Sequence, residues 1–225
     1  MLQDIKAVIF DVDGTLVDSM WIWKQVDIEF LARRNIELPV DLQKDIEGMS
    51  YTATAEYFRE RFQLPETVEE IKEEWREMAD DFYNNRIPLK AGVKELLQII
   101  KENRLKIGIA TSNSRELVET MLKKHEIGEY FDGIRTSCEV PRSKPFPDVY
   151  LQAAEDLCVK PGECLVFEDT VAGATAAKAA GMRVVAVYDE ISAESRQHLE
   201  QLAELYIMDF NKFINKISSS SIQQS

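Results

Sequence analysis

The spacing of apolar residues divides the chain into two regions with different periods. Residues 16–87 show helical spacing, and their clearest apolar stripe repeats at i, i+4, i+7 and i+11 among many acidic residues. The members of this stripe are Ile71, Trp75, Met78 and Phe82. Three further helical patterns lie at residues 20–34, 42–47 and 52–62. Because no convincing strand pattern interrupts them, the region predicts a bundle of about four helices.

From Pro88 onward the pattern changes, and helical stretches alternate with short apolar runs of the kind that form buried strands. Together with 7–10 near the amino terminus, the main runs are 106–110, 164–167 and 184–187, with shorter ones near residue 134 and at 206–208. Alternating strand and helix units build parallel sheets that are covered by helices. The predicted fold class is therefore α/β, with a doubly wound parallel sheet.

The change of pattern also predicts two domains. Residues 1–15 and 88–215 are expected to form the α/β core, and residues 16–87 a four-helix cap domain inserted after the first strand. The remaining residues, 216–225, are polar and low in complexity, which predicts a disordered tail. The expected architecture is thus a Rossmann-like core that carries one helical insertion.

Composition narrows the functional classes without selecting one. The chain has 225 residues, 45% of them hydrophobic, and no run approaches the ~20 apolar residues of a membrane span. The amino terminus lacks a basic stretch followed by a long apolar one, so we expect a cytoplasmic protein. A net charge of −13 opposes binding to nucleic acid or to anionic membranes. Three cysteines without a C-x-x-C pair fit reduced thiols, and a monomer is favoured although the sequence leaves the oligomeric state open.

Two aspartates, Asp11 and Asp13, follow the first apolar run directly. Residues i and i+2 of a strand share a face, and Gly14 ends the strand, so both carboxylates should converge at its carboxyl end. Ligands bind at that end of parallel sheets, and crowded carboxylates need a shared cation. A simple Asp-x-Asp-Gly turn is the alternative. A calcium loop of the EF-hand type is excluded, because it needs Gly and Glu where this chain has Leu16 and Ile22.

Hydroxyl and amide groups follow the run at 106–110, where Thr111, Ser112 and Asn113 precede a helix. Such side chains, beside the free N–H groups of a helix start, can bind phosphate oxygens. The alternative is that Ser112 to Ser114 form a simple helix cap, which is the commoner role of such a segment. Further along, Lys144 begins a segment with two prolines, which restrict the backbone and hold the lysine in place. A single lysine is more often a solvated surface group.

Acidic residues end the run at 164–167, where Glu168 and Asp169 lead into a helix rich in alanine. Carboxylate oxygens are the ligands that Mg²⁺ prefers. An acidic pair placed favourably at the positive end of a helix is the alternative. Taken with Asp11 and Asp13, the pair predicts a Mg²⁺ site at the ends of the strands.

These features match, in order, the motifs of one protein superfamily. The segment Asp11-Val12-Asp13-Gly14-Thr15 resembles the first motif of the haloacid dehalogenase superfamily of phosphatases and phosphomutases. Ser112, the segment that begins at Lys144, and the Glu168-Asp169 pair resemble the second, third and fourth motifs. The resemblance covers residues 6–188 and is closest to the branch that includes β-phosphoglucomutase.

The resemblance implies phosphoryl transfer through an aspartyl phosphate. Asp11 would be the nucleophile, and Asp13 would protonate the leaving alcohol and later deprotonate the attacking water. Ser112 and Lys144 would stabilise the transferring oxygens. The implied Mg²⁺ ligands are Asp11, the main-chain carbonyl of Asp13, Asp169 and the nearby Glu168.

The expected substrate is a small phosphorylated metabolite, a sugar phosphate, bound between the core and the cap. Its expected contacts are Thr111, Asn113, Trp23 and Tyr51, although the two aromatic residues fit the core of the helical bundle about as well. Asp13 argues against dehalogenation, because by resemblance the true dehalogenases have no carboxylic acid at that position and need no metal.

The helical region bears on the choice between a phosphatase and a phosphomutase. The segment Gly48-Met49-Ser50 is similar to a cap loop of β-phosphoglucomutase, which carries an arginine next and a histidine in its first cap helix. This chain has Tyr51 and Trp23 instead. Because a bisphosphate intermediate requires such a cation, we predict hydrolysis of a monophosphate. A mutase of the β-phosphoglucomutase type and a catalytically silent interaction protein with the same fold are the alternatives.

Overall fold

A computed structural model describes residue 2 and residues 4–222. Its centre is a six-stranded sheet in which all neighbouring strands are parallel. In chain order the strands are β1 (Ala7–Phe10), β2 (Lys106–Thr111), β3 (Gly133–Thr136), β4 (Cys164–Glu168), β5 (Arg183–Val187) and β6 (Leu205–Ile207). Across the sheet they follow the order β3-β2-β1-β4-β5-β6. The order reverses at β1, which confirms the doubly wound α/β fold.

Helices connect the strands in the alternating order that the sequence predicts. They are α1 (Met20–Ala32), α2 (Leu42–Ile46), α3 (Tyr51–Arg61), α4 (Val68–Asp81), α5 (Val93–Glu102), α6 (Arg115–His125), α7 (Asp148–Asp156), α8 (Val171–Ala179), α9 (Arg196–Leu202) and α10 (Phe210–Ile222). A π-helical turn, Phe82–Arg86, continues α4. We refer to α1 to α4 and this turn, which all lie between β1 and β2, as the inserted helices. Among the described residues, none of the helices has the length and apolar character that a membrane crossing needs.

Alternation along β1 supplies both faces of the sheet. Val8 and Phe10 belong to a hydrophobic cluster with α5, α6 and α10, whereas Ala7 and Ile9 belong to one with α7, α8 and α9. All four side chains are at most 1% exposed, as expected for a central strand. On the first face Phe10 stacks on Phe167 of β4, with ring centroids 5.0 Å apart. Strand β1 is therefore fixed by packing on both faces of the sheet, and this fixes the position of Asp11, which follows it.

Helix α4 buries a stripe that differs from the predicted one in its second half. Val68 is buried at the start of α4, and the stripe that follows it consists of Ile71, Trp75, Ala79 and, in the π-helical turn, Tyr83. Met78 and Phe82 are only partly buried against the same cluster. A strict i+4 repeat follows a wider turn than the ~3.6 residues of an α-helix, and the π-helical geometry at the end of α4 accommodates it.

The expected disorder of residues 216–225 is wrong as far as residue 222. Helix α10 continues to Ile222, and its residues Phe210, Phe213 and Ile217 have helical spacing and lie in the hydrophobic cluster of one sheet face. Burial of this stripe orders a segment whose serines alone indicate disorder. Residues 223–225 lie outside the described residues. The domain boundaries at residues 15/16 and 87/88 stay predictions.

Candidate active site

The carboxyl ends of three strands meet at one edge of the sheet, next to the inserted helices. Asp11 follows β1, Thr111 ends β2 and Glu168 ends β4, and these strands are neighbours. A cavity of about 860 Å³ lies at this edge, lined by residues of both the core and the inserted helices. The predicted site residues that line it are Asp11, Asp13, Trp23, Tyr51, Thr111, Ser112, Asn113, Lys144 and Glu168. Asp169 is fully buried beside them.

Lys144 joins two of the acidic groups. Its Nζ donates to Asp11 Oδ1 at 2.7 Å and to Glu168 Oε1 at 2.6 Å, and it also reaches the main-chain oxygen of Ala110 at 3.3 Å. Burial opposes the charge on this lysine, but the carboxylates of Asp11 and Glu168 outweigh that effect and hold the pKa of Lys144 well above its ordinary value. Lys144 is therefore a fixed, buried cation and not the solvated lysine of the alternative interpretation.

Glu168 is held by donors on both of its oxygens. Besides Lys144, the Tyr150 hydroxyl donates to Oε1 at 2.9 Å, and the Thr170 hydroxyl and main-chain N–H donate to Oε2 at 3.0 and 2.9 Å. Burial raises the pKa of Glu168, but the Lys144 charge and these hydrogen bonds outweigh it, so the pKa lies below its ordinary value. A Cβ atom on Gly173 would lie 1.7 Å from Oε1, so that position must lack a side chain. Glu168 is thus a fixed anion with little free capacity for a metal.

Three carboxylates, those of Asp11, Glu168 and Asp169, offer oxygens that lie within 4.8 Å of one another. Asp169 Oδ1 accepts from the Thr15 hydroxyl at 3.0 Å, but its Oδ2 is buried without a hydrogen-bond partner among the described residues. Burial, and then the charges of Glu168 and Asp11, raise the pKa of Asp169 well above its ordinary value. For Asp11, burial that Lys144 only partly offsets raises the pKa to about 7. An unpartnered oxygen in a crowded acidic cluster is what a divalent cation satisfies, so Asp169 and Asp11, with Glu168 beside them, fit the predicted metal.

The carboxylate of Asp13 is bound by a different set of groups. Its Oδ1 accepts from the Ser19 hydroxyl at 2.5 Å, from the Trp23 indole N–H at 3.1 Å and from the Tyr83 hydroxyl. Its Oδ2 accepts from the Asn113 amide at 2.7 Å. With the carboxylate engaged in this way, Asp13 has its main-chain carbonyl to offer to a metal, as the resemblance implies.

Tyr83 is a site residue that the sequence analysis missed. It lies in the π-helical turn, is fully buried, and its hydroxyl also accepts from the Asn113 amide at 2.7 Å. Burial, and then the charge of Asp13, raise the pKa of Tyr83 well above its ordinary value, so the hydroxyl stays protonated and donates to Asp13. The i+4 repeat that begins at Ile71 marks Tyr83 as buried. Only the folded chain shows that its hydroxyl reaches the end of β1.

The segment after β2 contacts the inserted helices directly. The Ser112 hydroxyl donates to the main-chain oxygen of Gly48 at 3.2 Å, and the main-chain oxygen of Ser112 accepts from the N–H of Tyr51 at 2.9 Å. The hydroxyl of Thr111 accepts a main-chain N–H two residues further on, at 3.2 Å. The helix-cap interpretation applies to Ser114, whose hydroxyl accepts an N–H of α6 at 3.3 Å. The preceding hydroxyl of Ser112 lies on the cavity wall instead.

The aromatic residues of the inserted helices combine the two roles that the sequence left open. Tyr51 lines the cavity, and its ring also packs edge-on against Trp23 and Trp75, with centroids 5.9 and 5.8 Å apart. Its hydroxyl donates to the main-chain oxygen of Lys72 at 3.0 Å. Trp23 lines the cavity as well. These rings are therefore part of the helical core and of the cavity wall at the same time.

Comparison with known proteins gives consistent results. The family model for haloacid dehalogenase-like hydrolases matches residues 8–187. Hexitol phosphatase B of Escherichia coli (strain K12) is 33% identical over 194 residues, covering 82% of this chain and 84% of that protein. The putative phosphatase YhcW of Bacillus subtilis (strain 168) is 34% identical over 211 residues, covering 89% and 94%. The crystal structure of β-phosphoglucomutase from Clostridium difficile aligns with a TM-score of 0.79 at 23% identity, covering 97% of this chain and 99% of that one, which is a likeness of fold.

Proposed function

Because this chain belongs to the haloacid dehalogenase-like hydrolase family, we propose that it is a Mg²⁺-dependent phosphatase that hydrolyses a small sugar phosphate through an aspartyl phosphate on Asp11. Family membership and the phosphatase names of its relatives support a phosphoric monoester hydrolase. One relative is named a hexitol phosphatase, which supports a sugar or sugar-alcohol phosphate as the substrate. Cytoplasmic location and a monomeric state stay predictions.

The observation that carries the proposal is the contact between Lys144 and Asp11, beside the unpartnered oxygen of Asp169. Lys144 holds Asp11 through Oδ1, and no hydrogen bond to Asp11 Oδ2 occurs among the described residues. That oxygen is therefore free to attack a phosphoryl group in the cavity. The lysine also supplies the local positive charge that a phosphate ester needs in a chain with a net charge of −13.

Asp11, Asp169 and the main-chain carbonyl of Asp13 would hold Mg²⁺, which, when bound, offsets the negative charge of the carboxylates and of the phosphoryl oxygens. Glu168 has donors on both oxygens, and its part in the proposal is to fix the position of Lys144. The buried Oδ2 of Asp169 is the atom for which a metal accounts best.

The proposed reaction consists of two displacements at phosphorus. In the first, Asp11 Oδ2 bonds to phosphorus, the bond from phosphorus to the ester oxygen breaks, and Asp13 gives a proton to that oxygen. In the second, a water oxygen bonds to phosphorus, its proton passes to Asp13, and Asp11 leaves as a carboxylate. The Ser112 hydroxyl and the Lys144 ammonium donate to the phosphoryl oxygens in both steps. The products are an alcohol and inorganic phosphate.

The inserted helices favour hydrolysis over mutase chemistry. At the two positions where the resemblance places cations, this chain has Tyr51, packed among aromatic rings, and Trp23, which donates to Asp13. Neither side chain can pair with a second phosphate as a cation does. Incubation with β-glucose 1-phosphate and a trace of bisphosphate tests this choice. Formation of glucose 6-phosphate without free phosphate would establish the mutase instead.

The central test measures phosphate release from p-nitrophenyl phosphate and from a panel of sugar and sugar-alcohol phosphates, with and without Mg²⁺. We expect Mg²⁺-dependent turnover by the unmodified protein and none by Asp11→Asn. Sodium borohydride reduces an aspartyl phosphate to homoserine, so mass spectrometry after quenching during turnover should find homoserine at Asp11. Equal turnover by Asp11→Asn, or no turnover of any ester by either protein, contradicts the proposal.

A further inference from the structure

Asp27 is a buried carboxylate that the proposed mechanism does not use. It lies on α1 and is 5% exposed. Its Oδ2 accepts from the Gln43 amide at 2.6 Å. Within the described residues, its Oδ1 has no hydrogen-bond partner and no lysine, arginine or histidine forms an ion pair with it. A buried carboxylate without a cation is unfavourable, so its presence calls for a physical reason.

The stability of the fold does not supply that reason. Burial raises the pKa of Asp27 to about 7, and the hydrogen bond from Gln43 offsets only part of this effect. The ionised side chain therefore weakens the folded state at neutral pH. Buried groups that weaken a fold in this way are characteristic of binding and catalytic sites.

The position of Asp27 indicates what it binds. Asp27 and Gln43 line the same cavity as Asp11, on the wall that the inserted helices form. Aromatic residues of that wall are Trp23, Tyr51 and Trp75. The indole N–H of Trp75 is buried and has no hydrogen-bond partner in the described part of the chain. The wall therefore combines a carboxylate acceptor and an amide with aromatic surface.

We propose that Asp27 and Gln43 form a subsite for hydroxyl groups at the end of the substrate far from phosphorus, so that the substrate is a neutral, polyhydroxylated monophosphate. The inference rests on the proposed function, which places the phosphoryl group at Asp11. Hydroxyl groups both donate and accept, which matches a carboxylate beside an amide, and aromatic rings pack against the C–H face of a sugar or polyol.

The same chemistry disfavours other substrates. The Asp27 carboxylate repels a second phosphate or a carboxylate bound beside it. Lys44 and His198 also line the cavity, but so do Glu47 and Glu194, and the acidic lining residues outnumber the basic ones. A quaternary ammonium group would match the carboxylate and the aromatic rings, but it offers neither a donor nor an acceptor to the Gln43 amide. A polyol offers a hydroxyl partner to both the carboxylate and the amide.

Steady-state kinetics with Asp27→Leu test the subsite. We expect kcat/KM for sorbitol 6-phosphate to fall about 10- to 100-fold, because hydrogen bonds to a charged group are lost. p-Nitrophenyl phosphate has no alcohol hydroxyl group for this subsite, so its kcat/KM should fall much less. The matched control is Glu29→Gln, which removes an exposed carboxylate from the same helix and should leave both substrates unaffected.

Binding without turnover separates the subsite from the reaction. In an Asp11→Asn background, calorimetry should show that Asp27→Leu weakens binding of sorbitol 6-phosphate by a similar factor and leaves binding of inorganic phosphate unchanged. If the unmodified protein hydrolyses no ester but this difference in binding is present, the proposed function fails and the subsite stands.

Other outcomes overturn the subsite. If Asp27→Leu lowers kcat/KM equally for sorbitol 6-phosphate and p-nitrophenyl phosphate, or if Asp27→Asn has a lower melting temperature, the role of Asp27 is structural. If Asp27→Leu lowers kcat/KM more for phosphocholine than for sorbitol 6-phosphate, the wall binds a cationic group instead of hydroxyl groups. Unchanged kinetics and unchanged binding in Asp27→Leu remove Asp27 from substrate recognition altogether.

Discussion

The core and the inserted helices differ in whether their buried carboxylates are paired with a cation. At the strand ends, Lys144 pairs with Asp11 and Glu168, and Glu168 has donors on both oxygens. Among the described residues, two oxygens there lack a hydrogen-bond partner: Asp11 Oδ2, the proposed nucleophile, and Asp169 Oδ2, where we propose the metal. In the inserted helices, Asp27 Oδ1 has no hydrogen-bond partner within the described part of the chain, and its residue lies on a cavity wall that includes Trp23, Tyr51 and Trp75. If both proposals hold, the core fixes the groups that react, whereas the inserted helices keep hydrogen-bonding capacity for the substrate.

The two regions meet through a few directed contacts. Trp23 and Tyr83 of the inserted helices donate to Asp13 of the core. The N–H of Ser50 donates to the Ser143 hydroxyl at 3.0 Å. Close approach also requires Gly48, where an added Cβ atom would lie 2.9 Å from a main-chain oxygen of the core. The position of the proposed general acid therefore depends on both regions.

Breaking the charge pairing in the core should have the largest effect. Lys144→Met leaves Asp11 and Glu168 as buried anions without a cation, so we expect the free energy of unfolding to fall by about 3–5 kcal/mol. Phosphate release should fall at least about 10²-fold, because a donor to the phosphoryl group is lost. Urea unfolding and steady-state kinetics measure the two effects. Lys24→Met, which removes an exposed lysine of α1, is the control, and a similar result for both variants would contradict the pairing.

Replacing Asp27, the buried carboxylate of the inserted helices that has no ion-pair partner among the described residues, should raise the free energy of unfolding instead of lowering it. The folded pKa of Asp27, about 7, lies above its ordinary value of 3.8, so its protonated form favours folding. That contribution is complete below pH 3.8 and is lost as the pH rises through about 7. Asp27→Asn should therefore be more stable than the unmodified protein at pH 8, by at most about 4 kcal/mol.

The pH dependence of this difference sharpens the test. The gap between Asp27→Asn and the unmodified protein should narrow as urea unfolding is repeated at pH 6 and pH 5. Gln25→Ala, at an exposed residue of α1 that does not titrate, is the control. If Asp27→Asn is less stable at pH 8, the Asp27 carboxylate stabilises the inserted helices, as the Asp11 and Glu168 carboxylates paired with Lys144 stabilise the core.

Removing the hydrogen bond from Tyr83 to Asp13, which joins the two regions, should lower turnover by a smaller factor, and more for some esters than for others. Tyr83→Phe removes one donor to Asp13, so we expect turnover of an alkyl phosphate to fall about 10-fold, because a poor leaving group needs the proton from Asp13. p-Nitrophenyl phosphate has a better leaving group and should lose less. Tyr57→Phe removes a hydroxyl that binds Asp45 and should affect neither. Equal slowing of both esters by Tyr83→Phe would count against its action through Asp13.

The smallest effects should come from the outer surfaces, where the two regions are alike. Lys6 of the core pairs with Glu163 at 2.6 Å, with side chains that are 65% and 29% exposed. In the inserted helices Arg86 pairs with Asp81 at 2.8 Å, with side chains that are 62% and 56% exposed. Lys6→Met and Arg86→Met should each change the free energy of unfolding by less than about 1 kcal/mol. A larger change in either variant would show that the two regions differ in their surface ion pairs as well as in the carboxylates around the cavity.

Much of the core site could be predicted from the sequence because few physical steps separate the pattern from the structure. Short apolar runs form parallel strands, parallel strands end at a common edge, and Asp11, Ser112 and Glu168 come at or just after those ends. Their meeting depends little on the packing of any one helix. At the carboxyl terminus the serines of α10 predicted disorder, and the buried stripe that includes Phe213 and orders the helix was not recognised.

The sequence by itself determined the α/β core, the presence of a helical insertion and the residues at the strand ends, because each follows from local periodicity and the fixed direction of parallel strands. The tertiary structure alone decided that Tyr83 reaches Asp13 and that Asp27 faces the cavity. Periodicity tells which residues share a helix face, but the packing angles between helices decide where that face points. An aspartate is expected in solvent, and the packing of the inserted helices, with Gln43 of α2 against Asp27 of α1, buries it.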